Sequence, residues 1–153
     1  MTQRLNYRTL SPKGLEAMAE LETYVRSSGL EKSLLELVRT RVSQINGCAY
    51  CLDMHTKDAR AAGETEQRLY TLSAWRETPF FTARERAALA WTEAVTRIAE
   101  GPIEDALYEN ARQQFGEKEL VDLTLAVIAI NGWNRLAIPF QAEAGSYQPK
   151  ARG

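Results

Sequence analysis

Four residues whose side chains can move protons and electrons are grouped in one short part of this sequence. Cys48, Cys51 and His55 lie within eight residues, and Glu36 comes twelve positions before Cys48. They include both cysteines of the chain and its only histidine. Two cysteines at Cys-x-x-Cys spacing can cycle between dithiol and disulfide, while a carboxylate and an imidazole can carry the protons. The pattern indicates redox chemistry of thiols.

The two cysteines begin a predicted helix directly after Asn46-Gly47, a pair that ends the helix before it. Unpaired N–H groups at a helix N-terminus stabilise a thiolate and lower such thiol pKa values to roughly 3.5–7.5. One thiol should therefore be reactive at neutral pH, and the helix-end argument alone favours Cys48. On a helical wheel Cys48, Cys51 and His55 share one face, whereas Tyr50 lies on the other.

The preceding helix carries a stripe of small residues that is interrupted by one glutamate and leads into the turn. The stripe consists of Glu36, Thr40, Ser43 and Gly47. In an antiparallel hairpin, Glu36 and His55 would lie at distances from the turn that differ by about 4–5 Å, at about 1.5 Å per residue. If these faces meet, the carboxylate and the imidazole are close enough to exchange a proton.

Helix start and stop signals recur along the whole chain, and no alternating strand pattern is found. The predicted helices run over about 12–27, 31–46, 48–62, 65–76, 82–100, 102–115 and from 117 onward, where Asn131-Gly132 kinks or ends the helix before a last piece over 133–140. The predicted fold is an all-α bundle of about seven to eight helices. We expect a single domain over 1–153 with a loose polar tail over 141–153.

Composition and charge exclude several classes of partner. The 19 basic and 20 acidic residues leave a formal charge of −1 without a like-charged run, which argues against nucleic acid. The longest apolar run, Leu123–Ile130, is far shorter than the ~20 residues of a membrane span. The first residues lack a secretory signal, so we expect a cytoplasmic protein with reduced thiols. The apolar helix after Glu117 should be covered, at the centre of the fold or in a subunit contact.

The spacing Glu36-x11-Cys48-x2-Cys51-x3-His55 resembles the active-site signature of the AhpD-like alkylhydroperoxidases, within the carboxymuconolactone decarboxylase superfamily. The resemblance is clearest over about residues 31–63. It implies an AhpD-like helical bundle and a thiol peroxidase that needs no added cofactor. It also implies roles: Cys51 as the peroxidatic thiol, Cys48 as the resolving thiol, and Glu36 with His55 as the proton relay.

The resemblance further implies partners for the protein. A small-molecule hydroperoxide would be the substrate, and a lipoyl-bearing or thioredoxin-like dithiol would be the reductant. The family also implies a homo-oligomer, as a dimer, trimer or hexamer. Residues 130–138 resemble a C-terminal stretch common in the group. One departure concerns Tyr50, which stands where some members have a histidine before the second cysteine.

Other interpretations of the same residues remain open at this point. A zinc site would use both cysteines and His55 but would need a fourth ligand from a carboxylate or another subunit. The thiols could be inert core residues, and Glu36 could simply pair with Arg39. Two rival functions are a decarboxylase of lactone acids, which needs no paired thiols, and a redox-sensing stress-response protein whose disulfide changes a contact surface.

Overall fold

Helices connected by short turns form the structure, a computed structural model that describes residues 2–149. The elements are α1 (Tyr7–Leu10), α2 (Pro12–Ser27), α3 (Lys32–Asn46), α4 (Ala49–Ala61), α5 (Glu66–Thr71), a 3-10 helix (Leu72–Glu77), α6 (Ala83–Thr96), a second 3-10 helix (Ile98–Glu100), α7 (Asp105–Gln114) and α8 (Glu117–Ala137). No strand occurs within residues 2–149. The predicted all-α class is confirmed.

Some helix boundaries differ from those expected. The short α1 was not predicted, and the helix expected over 65–76 is divided into α5 and a 3-10 helix, within which Ala74 has non-helical angles (φ −114°, ψ 28°). The helix expected from Pro102 begins at Asp105, since Glu104 is still extended (φ −65°, ψ 142°). The capping box at Thr82 and Glu85 starts α6 as its sequence indicates.

The predicted kink or end at Asn131-Gly132 is wrong, because α8 continues to Ala137. The Asn131 side chain donates to the carbonyl of Val127 at 2.9 Å, within the helix, and to Thr96 Oγ1 at 3.2 Å. A Cβ on Gly132 would lie only 2.7 Å from Met18 Cε of α2. These residues therefore serve the packing of α8 against α2 and α6 and do not end the helix.

The inner side of α8 lies in the main core, where it packs beside α3, α2 and α6. Leu123, Val127 and Ile130 are at most 1% exposed. On the outer side, Val121 and Ile128 are 60% and 50% exposed. No helix among the described residues is long and apolar enough to cross a membrane. That another subunit covers this outer side of α8 remains a prediction.

Residues 141–149 follow α8 without forming a helix and lie along α4. The Gly145 N–H donates to Asp53 Oδ2 at 3.1 Å, and Lys57 Nζ donates to the carbonyl of Tyr147 at 3.0 Å. This part of the chain is attached to α4, in contrast to the loose tail expected. Residues 150–153 lie outside the described residues, and for them looseness stays a prediction.

Candidate active site

A tight turn joins α3 to α4 and places the cysteine pair. Gly47 ends α3 in the left-handed conformation (φ 71°, ψ 36°), which favours glycine. The N–H of Cys48 donates to the carbonyl of Ser43 at 3.0 Å, and Cys48 is the N-cap of α4. The predicted position of Cys-x-x-Cys at a helix N-terminus, after a tight helix-helix turn, is confirmed.

The two cysteines are joined as a disulfide, with their Cα atoms 5.3 Å apart. The backbone N–H of Cys51 donates to Cys48 Sγ at 3.4 Å, so a helix N–H points at that sulfur. Both residues are 1% exposed and belong to the main core. The pair can hold and release two electrons, and the N–H groups of the first turn of α4 favour negative charge on sulfur.

Glu36 of α3 and His55 of α4 meet across the hairpin, with His55 Nδ1 and Glu36 Oε2 2.9 Å apart. The other carboxylate oxygen of Glu36 accepts from Arg39 Nη1 at 2.6 Å, and Arg39 also pairs with Glu22 of α2. Glu36 therefore makes the i, i+3 pair considered above and also contacts the imidazole. His55 is 4% exposed, so water has little access to this contact.

The surroundings of Glu36 keep it ionised. Burial alone would raise the pKa of its carboxyl, but the hydrogen bond and charge of His55, together with Arg39, lower the pKa below its ordinary value. A carboxylate at this position accepts the hydrogen of His55 Nδ1, which leaves Nε2 as the ring nitrogen that can exchange a proton. Glu36 thus fixes the orientation and tautomer of the imidazole.

A cavity of about 160 Å³ opens beside α4. Its lining consists of Tyr7, Arg8, Glu22, Arg26, Tyr50, Cys51, Met54, His55, Trp133 and Ala137. Cys51 and His55 line it, whereas Cys48 does not. The helical wheel placed Tyr50 away from the cluster, and that was wrong: α1, α2 and α8 surround the first turn of α4, so a residue on its flank still reaches the cavity wall.

Sequence reasoning missed the residues that come to the cavity and to the neighbouring Asp58 from distant parts of the chain. Arg8 lies over the rings of Tyr7 and Trp133, with its guanidinium carbon 5.7 and 5.9 Å from their centroids. The Tyr147 hydroxyl donates to Asp58 Oδ1 at 2.7 Å, on the same helix as His55. No motif marks these residues, because each reaches the site only through tertiary packing.

Two carboxylates and the imidazole form one set of polar groups near the cavity. One polar atom each of Glu36, His55 and Asp58 lies within 4.8 Å of the other two. The cysteine sulfurs are bonded to each other and do not belong to this set. The Cys-Cys-His zinc site considered from the sequence would require both cysteines as thiolates, in the reduced form of the pair.

Residues 12–94, which include Glu36, both cysteines and His55, match the carboxymuconolactone decarboxylase family. The chain belongs to this family. It is 44% identical over 146 residues to the uncharacterized protein YdfG of Bacillus subtilis strain 168, covering 95% of this chain and 99% of YdfG. It is 33% identical over 78 residues to the alkyl hydroperoxide reductase AhpD of Bradyrhizobium diazoefficiens, covering 51% of this chain and 37% of AhpD.

The fold agrees with this family. The crystal structure of Agrobacterium tumefaciens ATU0492, a protein of unknown function described in connection with the antioxidant defence protein AhpD, superposes with a TM-score of 0.92. The two sequences are 44% identical, and the match covers 95% of this chain and 100% of ATU0492. The predicted AhpD-like fold is confirmed.

Proposed function

We propose that this AhpD-like protein is a thiol peroxidase that reduces hydroperoxides through a dithiol-disulfide cycle of Cys48 and Cys51. The observation that carries the proposal is the arrangement around the cavity. Cys51 lines it beside His55, the ring of His55 is bound to Glu36, and Cys48 is within disulfide reach behind Cys51. Nucleophile, proton carrier and resolving thiol are thus adjacent.

The reaction begins at the reduced pair. His55 Nε2 takes the proton of the Cys51 thiol, and the thiolate attacks the terminal oxygen of R–O–O–H. The O–O bond breaks, Cys51 becomes a sulfenic acid, and the leaving alkoxide takes the proton from His55 to give R–OH. The Cys48 thiol then attacks the sulfenic sulfur, water leaves, and the disulfide forms. Two thiols and one hydroperoxide give one disulfide, one alcohol and one water.

The positions of the two thiols support an order of reaction. Cys51 faces the cavity and is therefore proposed as the peroxidatic thiol, and Cys48, on the core side, as the resolving thiol. The backbone N–H that points at Cys48 Sγ stabilises this sulfur as a leaving thiolate during reduction. The helix-end argument from the sequence, which favoured Cys48 as the more acidic thiol, does not include access to substrate.

The size of the cavity bears on the substrate and the reductant. About 160 Å³ is below the roughly 300–1,000 Å³ of sites for drug-sized ligands. We propose hydrogen peroxide or a short alkyl hydroperoxide as substrate. Because both cysteines are only 1% exposed, a slender dithiol such as a lipoyl arm should reach Cys51 more readily than the active site of a thioredoxin-like protein.

Two further properties belong to the same proposal. We propose that the protein works in the cytoplasm, where a thiol-reducing supply is available. We also propose a homo-oligomer, as a dimer, trimer or hexamer, because Val121 and Ile128 leave an apolar strip exposed on α8.

Thiol titration before and after one equivalent of peroxide tests the function. We expect two free thiols in the reduced protein and none after reaction, with an intramolecular disulfide in the peptide mass spectrum. Cys48→Ser should still consume peroxide and leave a sulfenic acid that dimedone traps, whereas Cys51→Ser should not react. Thiols that persist in the wild type would overturn the proposal.

The same variants separate the rival functions. A protein with both cysteines changed to serine that still decarboxylates a lactone acid at the wild-type rate would favour the decarboxylase. Disulfide formation without turnover by any dithiol, together with a change in assembly, would favour the redox sensor.

A further inference from the structure

The segment over residues 145–147 reaches the proton relay from the C-terminal end of the chain. Two backbone contacts with Asp53 and Lys57 attach it to α4, and the Tyr147 side chain points inward, where its hydroxyl donates to Asp58 Oδ1 at 2.7 Å. Burial, followed by the hydrogen bond to Asp58 and its charge, raises the pKa of Tyr147 to about 12. The phenol is therefore a hydrogen-bond donor throughout the physiological range of pH.

Asp58 is the second carboxylate beside the histidine. It follows His55 by three positions on α4 and therefore lies on the same side of the helix. One oxygen each of Glu36 and Asp58 and one ring nitrogen of His55 lie within 4.8 Å of one another. Only Glu36 is hydrogen-bonded to the ring, at His55 Nδ1, while Asp58 is close to the ring without bonding to it. A carboxylate this close could accept the Nδ1 hydrogen after a small side-chain rotation.

We propose that Tyr147 is a positioning residue of the active site: by holding Asp58, it leaves the Nδ1 hydrogen of His55 to Glu36. The geometry supports this division, because Asp58 accepts from Tyr147 while Glu36 accepts from His55 at 2.9 Å. The consequence for catalysis rests on the proposed peroxidase function. The arrangement of Tyr147, Asp58 and His55 itself does not.

Several other groups lie around the same imidazole. The neighbouring elements contribute Arg8 from α1, Glu22 and Arg26 from α2, Glu36 and Arg39 from α3, and Tyr50 from α4, while α8 contributes the uncharged Trp133 and Ala137. Two of these groups, Arg26 and Glu36, lie close enough to Tyr147 for their charges to act on its hydroxyl. The Asp58→Asn background is therefore needed to assign the effect of removing the hydroxyl to Asp58.

Removing the Tyr147 hydroxyl should change the proton affinity of His55 in one direction. Without its donor, Asp58 presents its full negative charge to the ring and can turn toward Nδ1. Both effects favour the imidazolium, so His55 should keep its proton to higher pH in Tyr147→Phe. The base form needed to activate Cys51 then appears at higher pH, and thiol oxidation slows on the acid side of its pH profile.

The single histidine of the chain makes this measurable by NMR. Tag-free protein with ¹³C-labelled histidine is titrated as wild type, Tyr147→Phe, Asp58→Asn and the double variant. We expect the midpoint to rise by about half a pH unit in Tyr147→Phe, a roughly threefold change in proton affinity. In the Asp58→Asn background, Tyr147→Phe should add nothing, since the charge on which it acts is gone.

A matched control is Tyr70→Phe, which removes a hydroxyl from a side chain that is 75% exposed and should leave the midpoint unchanged. An unshifted midpoint in Tyr147→Phe, or an equal shift with and without Asp58, overturns the positioning role. The rate of thiol oxidation by hydrogen peroxide at acid pH, expected to fall about threefold, is measured on the same proteins. If the thiols of the wild type do not react with hydrogen peroxide, the proposed function is wrong. The NMR titration would still decide the role of Tyr147.

Discussion

Replacing Glu36 by glutamine keeps the size of the side chain and removes the charge on which the His55 and Arg39 contacts depend. Both contacts are charge-assisted and mostly shielded, since the Glu36 side chain is 15% exposed and that of Arg39 only 4%. Hydrogen bonds to charged groups contribute about 1.5–3 kcal/mol each to stability. Arg39 keeps Glu22 as a partner. We therefore expect Glu36→Gln to lower the free energy of unfolding by about 1.5–3 kcal/mol in total at pH 7.

The stability lost in Glu36→Gln should become smaller as the pH falls. The pKa of Glu36 lies below its ordinary value of 4.5 in the folded protein. A carboxyl with a lowered folded pKa stabilises the fold above the unfolded pKa, and this contribution disappears as pH falls through the folded value. The difference between wild type and Glu36→Gln should thus be full at pH 6–7 and shrink below about pH 4.5. Urea unfolding of the oxidised protein at a series of pH values measures it.

The same variant should lose activity. A glutamine does not stabilise the imidazolium that forms when His55 takes the thiol proton, so peroxide-driven thiol oxidation should slow about 100-fold or more. The exposed Glu109 of α7 provides the control Glu109→Gln, which should alter neither property. A stability difference that stays constant from pH 7 to pH 3.5, or a wild-type oxidation rate, would refute the reasoning about the Glu36 charge.

Two substitutions test how the hairpin is held. Gly47→Ala should lower the free energy of unfolding by about 1 kcal/mol in a denaturant titration. A Cβ at this position meets no atom within 4 Å, but the left-handed backbone disfavours any residue that has one. The control Gly101→Ala has equal space and an extended φ of 162°, so it should leave the free energy of unfolding unchanged. Asn134→Ala should cost about 1–3 kcal/mol, because the fully buried amide accepts from Asn46 at 2.9 Å and donates to Ser43 at 3.2 Å. Ser43 would lose this donor, whereas Asn46 would keep only its bond to Asn131. A melting temperature equal to that of the wild type would show that water replaces the Asn134 amide.

The part of the site that the sequence predicted is the part that local geometry determines. Cys48 and Cys51 meet because a spacing of three positions in a first helical turn brings two side chains together. Glu36 and His55 lie at similar distances from the turn at Gly47 because of the helix rise, so an antiparallel hairpin allows them to meet. Neither inference requires knowledge of any other helix.

The part that the sequence did not predict depends on chain segments that are far apart. Arg8 comes to the cavity with the unpredicted α1, and Tyr147 comes with a segment that has no periodic pattern. Asn131 looked like a helix stop because of its local preference, but its amide is used by Thr96 of α6, and this contact favours the continued helix. Tertiary contacts outweighed local preference at these positions.

The turn between α3 and α4 positions both the cysteine pair and the proton relay of the proposed mechanism. The contact of Cys48 N–H with Ser43 and the contact of His55 with Glu36 lie in the same antiparallel register of α3 against α4. Each residue advances an α-helix by about 100°, so a shift of one position would rotate His55 away from Glu36 while leaving the cysteines three positions apart. The disulfide would survive and the proton path would not. The redox pair is therefore a property of α4 alone, whereas its reactivity depends on the packing of α4 against α3.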